Sequence, residues 1–88
     1  MPVPTVTLYS RPGCHLCGVV KEQLERIRRQ VNFQIEESNI DDDPSLRARY
    51  NDDIPVVAVN GKDVFKHRID IRKLREMLSF GNQENPGQ

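Results

Sequence analysis

The chain has 88 residues, 36% of them hydrophobic and 30% charged, with thirteen basic side chains balanced by thirteen acidic ones. That length holds one domain and no more. A net charge of zero gives no general pull toward nucleic acid or an anionic membrane, whose binders carry a clustered basic excess, so neither partner is expected.

Residues 3–9 (Val3, Thr5, Val6, Thr7, Leu8, Tyr9 among them) are uncharged and rich in β-branched side chains, the pattern of a buried strand. Ser10-Arg11-Pro12-Gly13 breaks it. Leu16, Val20, Leu24, Ile27 and Val31 then recur at spacings of four, four, three and four, which predicts an amphipathic helix whose outer face holds Lys21, Glu22, Glu25, Arg28 and Arg29. Cys14 and Cys17 sit at its first turn. Residues 33–40 carry Phe33, Ile35 and Ile40 among polar neighbours and read as a second strand. Asp43 as a cap and Pro44 at the first helical position predict a short helix over 44–50, closed by Asn51 and Asp52. Ile54-Pro55-Val56-Val57-Ala58-Val59 is the most apolar run, and Asn60-Gly61 after it is a strong hairpin signal leading into a strand at 63–66. Asp70 can cap a last helix with Ile71, Leu74, Met77 and Leu78 on one face, ending before Gly81. Residues 81–88 contain no apolar side chain and are expected to be a disordered tail after a single domain over 1–80.

The order β, α, β, α, β, β, α begins with a βαβ unit, so strands one and two should be parallel with a right-handed crossover. The hairpin adds two strands. The helices must cover the resulting sheet. No stretch approaches the roughly 20 apolar residues that span a bilayer, and the amino terminus lacks the basic region of a signal peptide, so a cytoplasmic chain is expected.

Both cysteines lie in one short segment, unlike the spread set of a disulfide-stapled secreted domain. Closing so short a loop would stabilise the fold by only about 2 kcal/mol before strain is subtracted. A zinc half-site, a redox pair and two unrelated thiols are the other readings. Tetrahedral zinc needs four ligands, and beside this pair the chain offers only His15 and His67, so no metal site is expected. A Cys-x-x-Cys near a βαβ pattern is the expected sequence of a thioredoxin-like redox site.

Tyr9-Ser10-Arg11-Pro12-Gly13-Cys14-His15-Leu16-Cys17 after a first strand, Asp53-Ile54-Pro55 before a third, the Asn60-Gly61 hairpin and Asp70 before the last helix together resemble a glutaredoxin, in particular the bacterial glutaredoxin-like proteins. The resemblance implies a thioredoxin-like α/β fold, βαβ-α-ββ-α, with a four-stranded mixed sheet and helices on both faces. It implies a cis Ile54–Pro55 bond lying against the cysteines. The activity it implies is dithiol exchange through Cys14 and Cys17 on protein disulfides or glutathionylated thiols, with glutathione or a reductase as electron donor and no tightly bound cofactor. A monomer is expected. Two departures stand out. Lys66-His67-Arg68-Ile69-Asp70 occupies the place where most glutathione-using members carry Gly-Gly, and Asp53-Ile54-Pro55 replaces the usual Thr-Val-Pro. Some glutaredoxins hold an iron–sulfur cluster between two subunits, which is the alternative reading, together with a redox-silent interaction domain of the same fold.

Exchange requires a thiolate, and a free cysteine of pKa about 8.5 is only about 3% ionised at pH 7. A helix amino terminus favours an anion by about 0.3–2 kcal/mol. Cys14, ahead of the helix, is therefore expected to be the nucleophile, and Cys17, a turn inside it, the resolving thiol. Arg11 is a second source of positive charge, and the family places a basic residue there to hold a glutathione carboxylate. Ile54 is expected to offer its backbone to an extended substrate beside Pro55. Asp70 is first a helix cap, with contact to a substrate amino group a second role.

Overall fold

The fold is that of a computed structural model in which residues 3–82 are described. Its elements are β1 (Thr5–Ser10), α1 (His15–Arg28), β2 (Gln34–Asn39), a 3₁₀ turn (Ile40–Asp42), α2 (Pro44–Tyr50), β3 (Val56–Val59), β4 (Lys62–Lys66) and α3 (Ile71–Asn82). The sheet order is β2-β1-β3-β4, with β1 and β2 parallel and the other neighbours antiparallel. This is the mixed four-stranded sheet that the βαβ unit and the hairpin predict.

Strand alternation assigns the two faces. Val6 and Leu8 of β1 and Val57 of β3 point to one side, where Val20, Leu24 and Ile27 of α1, Leu74 and Leu78 of α3, and the flanking Phe33 and Ile69 complete the main core. Val56 points to the other side, where Ile40 and Tyr50 bury with it and Tyr9, Leu46 and Ile54 pack around them. Helices thus lie on both faces, α1 and α3 on one and α2 on the other. The hairpin turn has φ of 51° at Asn60 and 87° at Gly61, the two left-handed positions of a type I′ turn that Asn-Gly accepts at low cost. Past it the ladder slips between Val57 and Ala58, which pair with Phe65 and Asp63 and leave Val64 as the extra residue. That bulge lets consecutive Val64 and Phe65 both pack on the main core while Asp63 faces Tyr50.

Several boundaries differ from the sequence expectations for local reasons. β1 begins at Thr5, after Pro4, which has no N–H to give a ladder. α1 ends at Arg28, three residues before Val31, which still packs on the core from outside the helix and so mimics one more helical position. β2 begins after Phe33, whose buried side chain anchors the approach and whose carbonyl accepts from Arg28 Nε at 3.1 Å. Ile40 opens the 3₁₀ turn instead of closing the strand. β3 begins at Val56, after Pro55, which has no N–H to give a ladder; the Ile54–Pro55 bond is cis. α3 continues through Gly81 to Asn82, so the expected tail begins inside the helix. The rest of that tail, 83–88, lies outside the described residues.

Candidate active site

The cysteines follow β1 on a tight turn. Arg11-Pro12-Gly13-Cys14 closes with the Cys14 N–H donating to the Arg11 carbonyl at 3.3 Å, with Pro12 second and Gly13 third at φ +81°. Proline second and a left-handed glycine third are the requirements of a type II turn. Cys14 is then the amino-terminal cap of α1. Its Sγ accepts the Cys17 N–H at 3.2 Å, and its carbonyl accepts from Gly18 at 3.3 Å. The two sulfurs are joined in a disulfide, with the Cα atoms 5.2 Å apart. Cys17 is 4% exposed while Cys14 is half-buried, so Cys14 is the more accessible of the two sulfurs. No acidic residue occupies the first turn of α1, which leaves its partial positive charge to any anion forming on Cys14. His15 is exposed, as is Leu16 at 51%.

Pairing of Tyr9 with Val56 and of Val56 with Lys66 brings the end of β1, the start of β3 and the end of β4 to one end of the sheet. The cysteine turn, Ile54–Pro55 and the loop after Lys66 therefore share that end. The Pro55 carbonyl accepts the His67 N–H at 2.7 Å, and the Arg68 N–H returns to the Lys66 carbonyl at 2.7 Å. This three-residue turn holds His67 at φ +70°, so the loop adopts without glycine a backbone shape that glycine favours. Ile54 is half-buried in the second core, and among the described residues its backbone groups have no backbone partner. Asp53 pairs with Lys66 at 3.5 Å. The Asp70 carboxylate is turned to its own helix, where it accepts the Lys73 N–H at 3.1 Å. The structure therefore brings Arg11, Cys14, Ile54 and Pro55 to one region and shows Asp70 in its capping role.

Arg11 has partners that the sequence did not suggest. Its Nη2 donates to Asp41 Oδ1 at 3.0 Å and to Asn51 Oδ1 at 2.7 Å. In the sequence Asn51 is legible only as a helix stop, and nothing local marks Asp41 as a partner of Arg11. Pairs 30 and 40 residues apart have no local signature by which to find them. Behind the turn, the buried Ser10 hydroxyl donates to Glu37 at 3.2 Å, and Glu37 pairs with Lys21 at 3.0 Å. That carboxylate raises the Lys21 pKa above its ordinary value, chiefly through the hydrogen bond. Ser10, Arg11, Pro12, Glu37 and Asn39 line a pocket of about 270 Å³ beside the cysteine turn. Among the described residues no three His, Cys, Asp or Glu side chains converge as a metal-binding group, and no helix is long and apolar enough to cross a membrane.

The family described as Glutaredoxin-like domain (DUF836) matches residues 5–79. A glutaredoxin-like protein of Dictyostelium discoideum is 36% identical over 75 residues, covering 78% of this chain and 69% of that one. A protein from Nitrosomonas europaea with a solution NMR structure superposes with a TM-score of 0.79 at 28% identity, covering 89% of this chain and 94% of that one. A thioredoxin variant from Halobacterium salinarum shares the fold at a TM-score of 0.70 and 14% identity, with 97% and 80% of the two chains covered. The family match runs from the first strand through the cysteine turn into the last helix, and on that ground the chain belongs to the glutaredoxin-like family of thioredoxin-fold proteins.

Proposed function

We propose that the chain is a thiol–disulfide oxidoreductase of dithiol type, with Cys14 as nucleophile and Cys17 as resolving thiol. The observation that carries this reading is the position of Cys14 Sγ at the cap of α1, accepting the Cys17 N–H at 3.2 Å and bonded to a buried Cys17. The N–H that meets Sγ in the disulfide also solvates the thiolate in the dithiol form.

In the reductive direction the Cys14 thiolate attacks one sulfur of a substrate disulfide, forming a mixed disulfide and releasing the other sulfur as a thiolate. Cys17 loses its proton and attacks Cys14 Sγ, which releases the second substrate thiol and leaves the Cys14–Cys17 disulfide. Two electrons pass from the dithiol to the substrate. Two equivalents of thiol, or a reductase, return them. Both electrons reside in the sulfur pair, so the cycle has no step for a resident cofactor. The substrates are protein disulfides or glutathionylated thiols, with a small thiol or a reductase as the electron donor. The unpaired backbone of Ile54 supports this by offering an extended substrate segment a strand to pair with.

Cys17→Ser should accumulate a mixed disulfide on Cys14 when mixed with a disulfide-bearing peptide, detected by intact mass. Cys14→Ser should form none and should lose disulfide reductase activity. Equal activity of Cys14→Ser and the parent would overturn the assignment.

A further inference from the structure

The type II turn from Arg11 to Cys14 keeps their Cα atoms within about 7 Å, so Arg11 is a cation anchored on the same turn as Cys14. The Nη2 end of its guanidinium is already occupied. Nη2 donates to Asp41 and Asn51, and Asp41 is also held by Arg47, whose Nε lies 3.6 Å from the same Oδ1 and whose Nη2 donates to the Asp41 carbonyl at 3.3 Å. The Asp41 N–H is in turn held by Asn39 Oδ1 at 2.9 Å. Asp41 is thus placed by Arg47 and Asn39 and presents its carboxylate to Arg11.

A guanidinium binds carboxylates by charge-assisted hydrogen bonds in a fixed fork, and a carboxylate already on the fork competes with any other. Asp41 holds the Nη2 end of Arg11 and offsets its charge, which weakens the pull on the carboxylate of an incoming acidic thiol, and it adds a negative charge to that thiol's approach. The pair is not sealed: the Arg11 and Asp41 side chains are 30% and 40% exposed. Selection there acts by charge competition and not by steric closure.

We infer that Asp41, supported by Asn51 and Arg47, is a specificity-determining residue of the cysteine site: it keeps Arg11 internally paired, so the site disfavours thiols that carry a carboxylate relative to neutral or cationic ones. The inference rests on the proposed exchange chemistry. The reaction it modulates is attack of a thiolate RS⁻ on Cys14 Sγ, forming RS–S–Cys14 and releasing Cys17 as a thiolate that takes up a proton. A second RS⁻ then attacks the RS sulfur, giving RSSR and the Cys14 thiolate.

The test measures reduction of the Cys14–Cys17 disulfide by three small thiols of graded charge: 3-mercaptopropionate, 2-mercaptoethanol and cysteamine. Rates are expressed per thiolate and as ratios to mercaptoethanol. Asp41→Asn should raise the mercaptopropionate ratio by about three- to tenfold, the size expected when one partly exposed charge is removed, while the cysteamine ratio stays or falls. Arg11→Gln should move the mercaptopropionate ratio the opposite way, below the parent, because it leaves Asp41 unneutralised. Both shifts should collapse near 1 M salt, where the Debye length is about 3 Å. Ratios that are the same in the parent and both variants overturn the inference. Failure of all three thiols to reduce the parent disulfide overturns the exchange reading itself, which keeps the two outcomes distinct.

Discussion

The Tyr50 hydroxyl lies 3.2 and 3.0 Å from the two carboxylate oxygens of Asp63, tying the end of α2 to β4. The same ring stacks on Tyr9 with centroids 4.5 Å apart and carries the Arg49 guanidinium 5.1 Å from its centre, while Arg49 reaches Asp63 at 3.8 Å. A seven-residue helix is too short to persist on propensity alone. These contacts fasten it to the sheet, and α2 in turn delivers Asn51 to Arg11 beside the cysteine turn.

Tyr50→Phe keeps the ring stack and removes only the hydroxyl. A hydrogen bond to a charged acceptor contributes about 1.5–3 kcal/mol. Asp63 stays partly in water and keeps Arg49, so the cost should fall near the lower end, about 1.5 kcal/mol. Urea unfolding should show a lower midpoint with an unchanged slope.

Alkaline pH should weaken the same contact. Burial first, and the Asp63 hydrogen bond second, push the Tyr50 phenol up to about 12 from its ordinary 10.0. Between those values the unfolded chain loses the proton while the folded chain keeps it, so stability falls as pH rises. The contribution is fully present below pH 10 and gone above pH 12. The parent should therefore lose stability relative to Tyr50→Phe across that window. A constant difference between the two proteins in urea titrations from pH 9 to pH 12 would refute the linkage.

What the sequence made legible was local. Asn60-Gly61 announces its own turn, the 3.6-residue periodicity from Leu16 to Ile27 announces its own helix, and Cys14 and Cys17 at that helix start announce the chemistry. Asp43 and Asp70 were readable as caps because a cap lies within three residues of the N–H it accepts. Arg11 was readable as a cation near Cys14 but not as a paired one, because Asp41 and Asn51 reach it only after β2 and α2 are in place. The bulge at Val64 and the left-handed His67 were hidden for a related reason. Neither residue type favours its conformation, and packing and the ladder impose it.

Asp70→Ala should lower stability by about 1 kcal/mol through loss of the α3 cap. Asp70→Ser should recover most of that, since a hydroxyl can also accept the Lys73 N–H. Reductase activity measured on both variants separates the cap from the substrate contact. Activity that drops in Asp70→Ser while stability is restored would assign the carboxylate a direct role with substrate.

Acid should act on the other cap. Asp43 accepts the Ser45 hydroxyl and N–H, and these hydrogen bonds hold its pKa below the ordinary 3.8. The stability it contributes is present above that ordinary value and is lost as pH falls through the depressed one. Asp43→Asn retains an acceptor without the titration. The gap in Tm between parent and variant should therefore narrow steadily below pH 4, and a gap that widens there would contradict the assignment.

His67 offers the sharpest test of the loop that replaces Gly-Gly. Its φ of +70° is imposed by the 2.7 Å bonds on either side, His67 N–H to the Pro55 carbonyl and Arg68 N–H to the Lys66 carbonyl. Its ring gains one contact in return, Nε2 at 3.2 Å from the Asp52 carbonyl oxygen. A left-handed residue with a Cβ costs about 1–2 kcal/mol, and a β-branched one is placed worst of all. His67→Val should therefore destabilise by about 1–2 kcal/mol beyond His67→Gly. His67→Gly itself should lie within about 1 kcal/mol of the parent, relief of strain offsetting the lost ring contact and the added freedom of the unfolded chain. Equal unfolding midpoints for the valine and glycine variants would mean that the turn is not held in solution, whereas the expected gap shows a positive φ held at a position without glycine.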